Sequence, residues 1–285
     1  MTRLARYYDW LGRFQQVAGL VSRSGDGTLT VHRRLASERP DVPPHHVVHE
    51  RLLAAVGPLV DPRVLDAGCG LGGTTFFLHE RLGGRYDGVT LSPVQRARAE
   101  REARRRSVSE SCRFHVRSYD DDPAVLAPDG VDLVVAIESL AHSPNPARTI
   151  ANLARALRAG GQLAVVDDVP DDALLDDDPD FVRFREGWRV PHLARGTALL
   201  AAFRAAGLEV ERDEDLTPLV IQRDPRRRER LVAINRRVRA LLGLTAAGEV
   251  VDSLDGGLML ERLYARGLMR YRLVVGRRPV GRPID

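Results

Sequence analysis

Glu138 and His142 stand four residues apart, directly after the apolar run VDLVVAI. A carboxylate at the end of a buried strand needs solvent, a partner or a task. In a pocket it steadies a positive charge, and an imidazole beside it takes up a proton near neutral pH. A plainer reading stands next to this one: Glu138 positions a ligand or caps the next helix, and His142 braces the turn before Pro144.

Upstream, VLDAGCGLGGTTFFL (Val64 to Leu78) reads as a strand ending in Gly68-Cys69-Gly70-Leu71-Gly72-Gly73 and turning into a helix. Glycine has no Cβ, so such a loop turns sharply and brings its backbone against a ligand. The spacing Gly68, Gly70, Gly73 fits a dinucleotide loop, and Gly68, Gly70, Gly72 fits a methyltransferase loop. The glycines alone leave that choice open. Their neighbours separate the two. Asp66, at the strand tip, orients the ammonium of a bound amino acid and would repel a pyrophosphate. About twenty residues on, where a dinucleotide site expects a carboxylate for the ribose, stands Thr90. With Gln95 it offers a hydroxyl and an amide instead, and Asp87 lies too early in the strand. Cys69 reads as a small buried filler, and Gly73 as close packing of helix on strand.

VLDAGCGLGGTT resembles the first motif of class I S-adenosylmethionine-dependent methyltransferases, and GVTLSPVQRARA resembles their second. The combination is most similar to the sterol and tocopherol type of small-molecule C-methyltransferase. VVAIESLAHSPNP resembles their acid-and-histidine segment, and LRAGGQLAVVD their glycine turn, with Ala159 where proline is usual. The likeness spans roughly residues 45 to 215 plus the closing strand. It implies a Rossmann-like α/β fold, S-adenosylmethionine as cofactor and methyl transfer to a small, largely apolar acceptor, with carbon methylation of an isoprenoid-like group favoured. O- or N-methylation of a secondary metabolite is the first alternative, and an RNA-modifying methyltransferase a more distant one. Carried onto this chain, the resemblance implies that Asp66, Gly68 and Gly70 line the methionine end, with Gly72 also among the cofactor-binding residues. It places Thr90, Leu91 and Gln95 at the ribose and adenine, and Ser118 and Tyr119 near the adenine amino group. Relatives carry an acid where this chain has Ser118. Glu138 and His142 would be catalytic, and Tyr7 and Tyr8 would meet the substrate.

The elements that position these residues are legible as alternation. RVLDAG, RYDGVTL, CRFHVRS, VDLVVAI and QLAVVDD read as buried strands, with PVQRARAEREARRR and PARTIANLARALRAG as helices between them. Such alternation predicts a mostly parallel seven-stranded sheet covered on both faces, with the ligand beyond the carboxyl ends of its strands. The expected divisions are an N-terminal helical lid (1–50), a cofactor-binding core (51–215), a helical cap insertion (216–267), and the final strand with its tail (268–285). PRRRERLVAINRRVRALLG is expected to bury Leu231, Ile234, Val238, Leu241 and Leu242 on one face, with arginines opposite.

The chain has 285 residues, enough for a full core. All 43 basic residues are arginine, set against 39 acidic ones, for a net charge of +4. That charge is dispersed and interrupted by acidic runs, which argues against a nucleic-acid partner. Cys69 and Cys112 give neither a disulfide framework nor a metal spacing. The order H-V-V-H-E (His46 to Glu50) matches no zinc motif, so no metal is expected. No segment reads as a signal peptide or membrane span, so a cytoplasmic protein is expected, with an exchanged-lid homo-oligomer conceivable.

Overall fold

Alternate residues of the central strands face two different apolar cores. This computed structural model describes residues 29–281 except 31, 123–126, 128, 129, 191 and 244. The expected contacts of Tyr7 and Tyr8, and most of the expected N-terminal lid, lie outside the described residues. Seven strands form one sheet: β1 (Arg63–Ala67), β2 (Arg85–Thr90), β3 (Cys112–Val116), β4 (Val131–Ile137), β5 (Leu157–Pro170), β6 (Glu209–Asp215) and β7 (Met269–Arg277). Their spatial order is β3-β2-β1-β4-β5-β7-β6. The pairs from β3 to β5 are parallel, whereas β7 runs antiparallel to both β5 and β6.

Side chains alternate across a strand, so each strand feeds both faces. Leu133, Val135, Ala164, Val166, Leu273 and Val275 belong to one core, and Val134, Ala136, Leu163, Val165 and Val274 to the other. The first face is covered by α1 (Val47–Val56), α2 (Gly73–Leu82), α3 (Pro93–Arg105), α5 (Pro179–Trp188) and α8 (Ala246–Ala265). The second lies under α4 (Pro146–Arg155) and α6 (Gly196–Ala205), through Ile150, Leu153, Leu199 and Phe203. Each of these buried side chains is worth roughly 1.5 to 3 kcal/mol relative to exposure. β4 and β5 are buried on both sides, which explains their unbroken apolar runs.

Helix starts near the ligand end follow ordinary capping chemistry. Ser92 caps α3, its hydroxyl accepting from the Gln95 amide at 3.1 Å, with Pro93 in the first turn. Asn145 caps α4 in the same way through the Arg148 amide. β5 is longer than the run QLAVVDD, because LRAGG joins it at one end and Val169 and Pro170 at the other.

One expectation is overturned. On α7 (Pro225–Leu242) the residues Ile234, Val238 and Leu241 are exposed, while Val232 and Arg228 are buried. Arg228 turns inward because its guanidinium donates to the Glu261 carbonyl on α8 at 3.3 Å. The helix therefore packs through Arg228, Leu231 and Val232, and of the expected stripe Leu231 meets the core. Among the described residues no helix is long and apolar enough to cross a membrane.

Candidate active site

The carboxyl ends of β1, β2, β4 and β5 open into a cavity of about 460 Å³, within the range of small-molecule sites. Gly68, Gly70, Thr90, Leu91, Gln95, Tyr119, Glu138 and His142 all line it. Asp66, Gly72 and Ser118 are not part of its wall.

The glycine loop explains this division. Gly68 has φ +91°, and a Cβ there would sit 2.5 Å from the Cβ of Ser139. That position closes the back of the loop against the turn after β4. Gly70 has φ +54°, and a Cβ would meet nothing within 4 Å, so its backbone faces open space. Gly72 is the left-handed cap of α2, packed on Phe76 and Phe114.

Asp66 lies behind the loop, buried, and accepts from the Thr75 hydroxyl at 2.7 Å. Burial pushes its carboxyl up to about 6, with the Thr75 bonds opposing. At the end of β2 the Thr90 hydroxyl donates to Gln95 Oε1 at 2.7 Å and accepts the Ser92 amide at 3.2 Å. Both residues are thus held rigidly in the wall. Asp87 is diverted to His115, 2.7 Å away. The Tyr119 hydroxyl donates to the Ser139 carbonyl at 2.8 Å, while Ser118 accepts from the Asp120 amide in a local turn.

Glu138 is the most constrained residue of the site. Its φ of +48° lies in the left-handed region, which costs a non-glycine residue about 1 kcal/mol or more. Its Oε1 accepts from the Arg33 amide at 2.7 Å and from the Tyr271 hydroxyl at 2.9 Å. The Arg33 guanidinium bonds both oxygens of Asp168, at 3.0 and 3.2 Å, and lies over the rings of Tyr264 and Tyr271. The Tyr264 hydroxyl donates to Asp168 as well. Asp167 accepts from the Ala141 and Asp168 amides. Burial raises its carboxyl well above the usual range, and Asp168 and Glu138 add to the shift. Glu138, Asp167 and Asp168 therefore face the cavity beside Arg33.

His142 sits in the short turn Leu140–His142. Burial lowers its pKa to about 4, against a hydrogen bond to the Arg189 backbone, so it is neutral at pH 7. His32 also lines the cavity, and its Nε2 lies 3.2 Å from that of His49 on α1, which meets Thr74 at 3.0 Å. Among the described residues no group of three or more His, Cys, Asp or Glu is placed to hold a metal ion.

Several wall residues were given no site role by the motifs. Arg33, Asp167, Asp168, Trp188, Arg223 and Glu261 all reach the cavity. Asp167 and Asp168 carried a readable signal, since two acids end an apolar strand just as Glu138 does. Arg33 and Glu261 carried none beyond charge within mixed segments.

The open backbone at Gly70, with the paired Thr90 and Gln95 beyond it, suits a cofactor whose amino-acid end meets the loop and whose ribose meets the second strand. Residues 64–161 match the protein family described as a methyltransferase domain. The chain is 37% identical over 105 residues to the chloroplastic tocopherol O-methyltransferase of Arabidopsis thaliana, which covers 36% of this chain and 29% of that protein. It is 31% identical over 174 residues to a sterol 24-C-methyltransferase of Aspergillus fumigatus, covering 59% of this chain and 45% of the relative. The chain thus spans less than half the length of the first curated relatives it matches. Among solved structures, the [4+2]-cyclase SpnF superimposes with a TM-score of 0.72 at 22% identity, over 98% of this chain and 96% of that one. That likeness speaks for the fold alone. Motif and cavity agree with the match of residues 64–161 to a methyltransferase domain.

Proposed function

We propose that the protein methylates a small, largely apolar natural-product acceptor, at carbon of an isoprenoid-like group. The observation that carries this reading is Glu138, fixed by two donors on Oε1 in a strained backbone at the cavity wall. Likeness to a sterol C-methyltransferase supports it. Since the same fold is found in a [4+2]-cyclase, methyl transfer rests on the cofactor loop and not on the fold.

When bound, S-adenosylmethionine supplies a methyl group on a sulfonium, with an excellent leaving group. The chain's task is alignment and charge. Gly68 and Gly70 seat the amino-acid end, and Asp66 tunes the field behind it. Thr90, Leu91 and Gln95 hold the nucleoside. As an alkene carbon of the acceptor takes the methyl, its neighbouring carbon becomes cationic. The carboxylates of Glu138 and Asp168 lower the energy of that charge in a site of low dielectric. His142, neutral at working pH, then receives the proton lost as the alkene re-forms. The packed helices α5, α7 and α8 form the acceptor-side cap.

A second reading, O-methylation with His142 as base, is favoured by the likeness to a tocopherol O-methyltransferase. A labelled-methyl assay against prenylated, sterol-like and phenolic acceptors separates the two by whether the product carries a new C–CH3 or O–CH3 group. For carbon methylation, Glu138→Gln keeps affinity for S-adenosylhomocysteine and cuts turnover about a hundredfold. A variant that loses cofactor but retains turnover at saturation makes Glu138 a binding residue instead.

A further inference from the structure

Glu261 belongs to neither the cofactor loop nor the Glu138 network, yet it lines the same cavity from α8. It is only 6% exposed. One carboxylate oxygen, Oε1, is bound by the Arg223 guanidinium. The other, Oε2, is fully buried and has no hydrogen-bond partner among the described residues. A buried acceptor left without a donor is rare and costly, and a small turn of the carboxylate toward the cavity would let a ligand complete it.

The surroundings define that ligand. Glu261 stands one helical turn before Tyr264, whose hydroxyl bonds Asp168. Two further turns back, Gly257 and then Ser253 with Leu254 continue the same lining stripe, and Leu254 is half exposed. Trp188 lies opposite Gly257, close enough that a Cβ there would be 3.6 Å from its ring. Trp188, Gly257 and Leu254 thus give this wall an apolar stretch beside the polar Glu261. Arg223 already balances the carboxylate charge, so the remaining oxygen calls for a neutral donor and not a cation.

We propose that Glu261 Oε2 accepts a hydrogen bond from a hydroxyl group of the methyl acceptor, whose apolar body lies along Trp188, Gly257 and Leu254. This assignment rests on reading the cavity as a methyltransferase acceptor site. It adds that the acceptor is an apolar alcohol entering hydroxyl first, and that Glu261 selects for that hydroxyl.

The test uses farnesol, its methyl ether and farnesylamine as probes, titrated calorimetrically into the full chain with and without saturating S-adenosylhomocysteine. The ether keeps the oxygen and removes only the donor. Wild type is expected to bind farnesol at least about tenfold more tightly than the ether, as expected for a hydrogen bond to a charged group. In Glu261→Leu that preference falls to near unity while the affinity for S-adenosylhomocysteine is unchanged. Should Glu261→Leu not fold, Glu261→Gln, a weaker neutral acceptor, is expected to show a preference at least about threefold smaller than wild type. Equal binding of alcohol and ether, no binding of the alcohol, an undiminished preference in the variant, or tighter binding of the amine overturns the assignment. Failure of wild type to bind S-adenosylhomocysteine would instead overturn the methyltransferase reading, and the titrations without it keep the two outcomes apart.

Discussion

The amide of Arg33 donates to Glu138 Oε1 at 2.7 Å, joining residues 105 positions apart across the mouth of the sheet. The same arginine turns its guanidinium to Asp168, so one residue fixes two acids by two different groups. The stretch around it is anchored in turn: Leu35 bridges Val220, and the Ala36 amide donates to the Leu219 carbonyl at 2.6 Å.

Removing the Arg33 side chain leaves Asp168 buried without its cation. Arg33→Met is expected to lower unfolding stability by about 3 kcal/mol, and adding Asp168→Asn recovers most of that loss. Urea unfolding of the two single variants and the double variant measures the coupling. Additive losses would refute it.

Asp66 pulls the other way. Its carboxyl is raised to about 6 in the folded chain, so the folded state holds a proton that the unfolded state releases near pH 4. Its contribution is intact below pH 4 and is lost as pH rises through 6. Asp66→Asn should therefore be more stable than wild type at pH 7, by on the order of 2 kcal/mol, and no more stable at pH 4. Its affinity for S-adenosylmethionine should fall by tenfold or so as the negative charge behind the glycine loop is lost. Thermal melts at the two pH values and a cofactor titration check both halves.

Buried histidines set the acid limit. His32 and His142 are held down to about 4 by burial, and His49 lower still. Each is neutral in the folded chain and protonates more readily when unfolded. The stability they preserve is fully present above about pH 6.5 and drains away toward pH 4, at up to roughly 1.4 kcal/mol per unit for each. Wild-type urea midpoints should drop over that window, and His142→Gln should flatten the slope. The same low value predicts a turnover profile with no inflection between pH 5.5 and 7.5 from His142. An inflection there that vanishes in His142→Gln would contradict it.

Two glycine variants distinguish packing from ligand approach. Gly68→Ala drives a Cβ into Ser139 in a left-handed backbone and should destabilise the chain by about 2 kcal/mol or more. Gly70→Ala meets open space, so it should cost only about 1 kcal/mol of strain yet weaken cofactor binding by tenfold or more. Similar losses of both properties in the two variants would contradict the division.

The wall formed by Gly68, Gly70, Thr90 and Gln95 was readable because its signals are local. The glycine loop, Thr90 with Gln95, and the Ser92 cap act within a few residues of one another. The alternation of strands and helices likewise foretold the sheet and its two faces. The acceptor side resisted, since Arg33, Tyr264, Tyr271 and Glu261 meet their partners over long separations and sit in segments of ordinary composition. α7 misled for a related reason. A helix that buries an arginine against a carbonyl of its neighbour does not bury the whole stripe its periodicity advertises.

The antiparallel β7 has a temporal consequence. It inserts between β5 and β6, and it carries Tyr271 to Glu138, 133 residues earlier in the chain. On the ribosome the cofactor loop and β1 to β5 can pair long before that tyrosine is made. During that interval β5 has an open edge and Glu138 lacks one of its two clamps. The wall at Gly70, Thr90 and Gln95 can thus form early, whereas the clamp on Glu138 is complete only once β7 has paired.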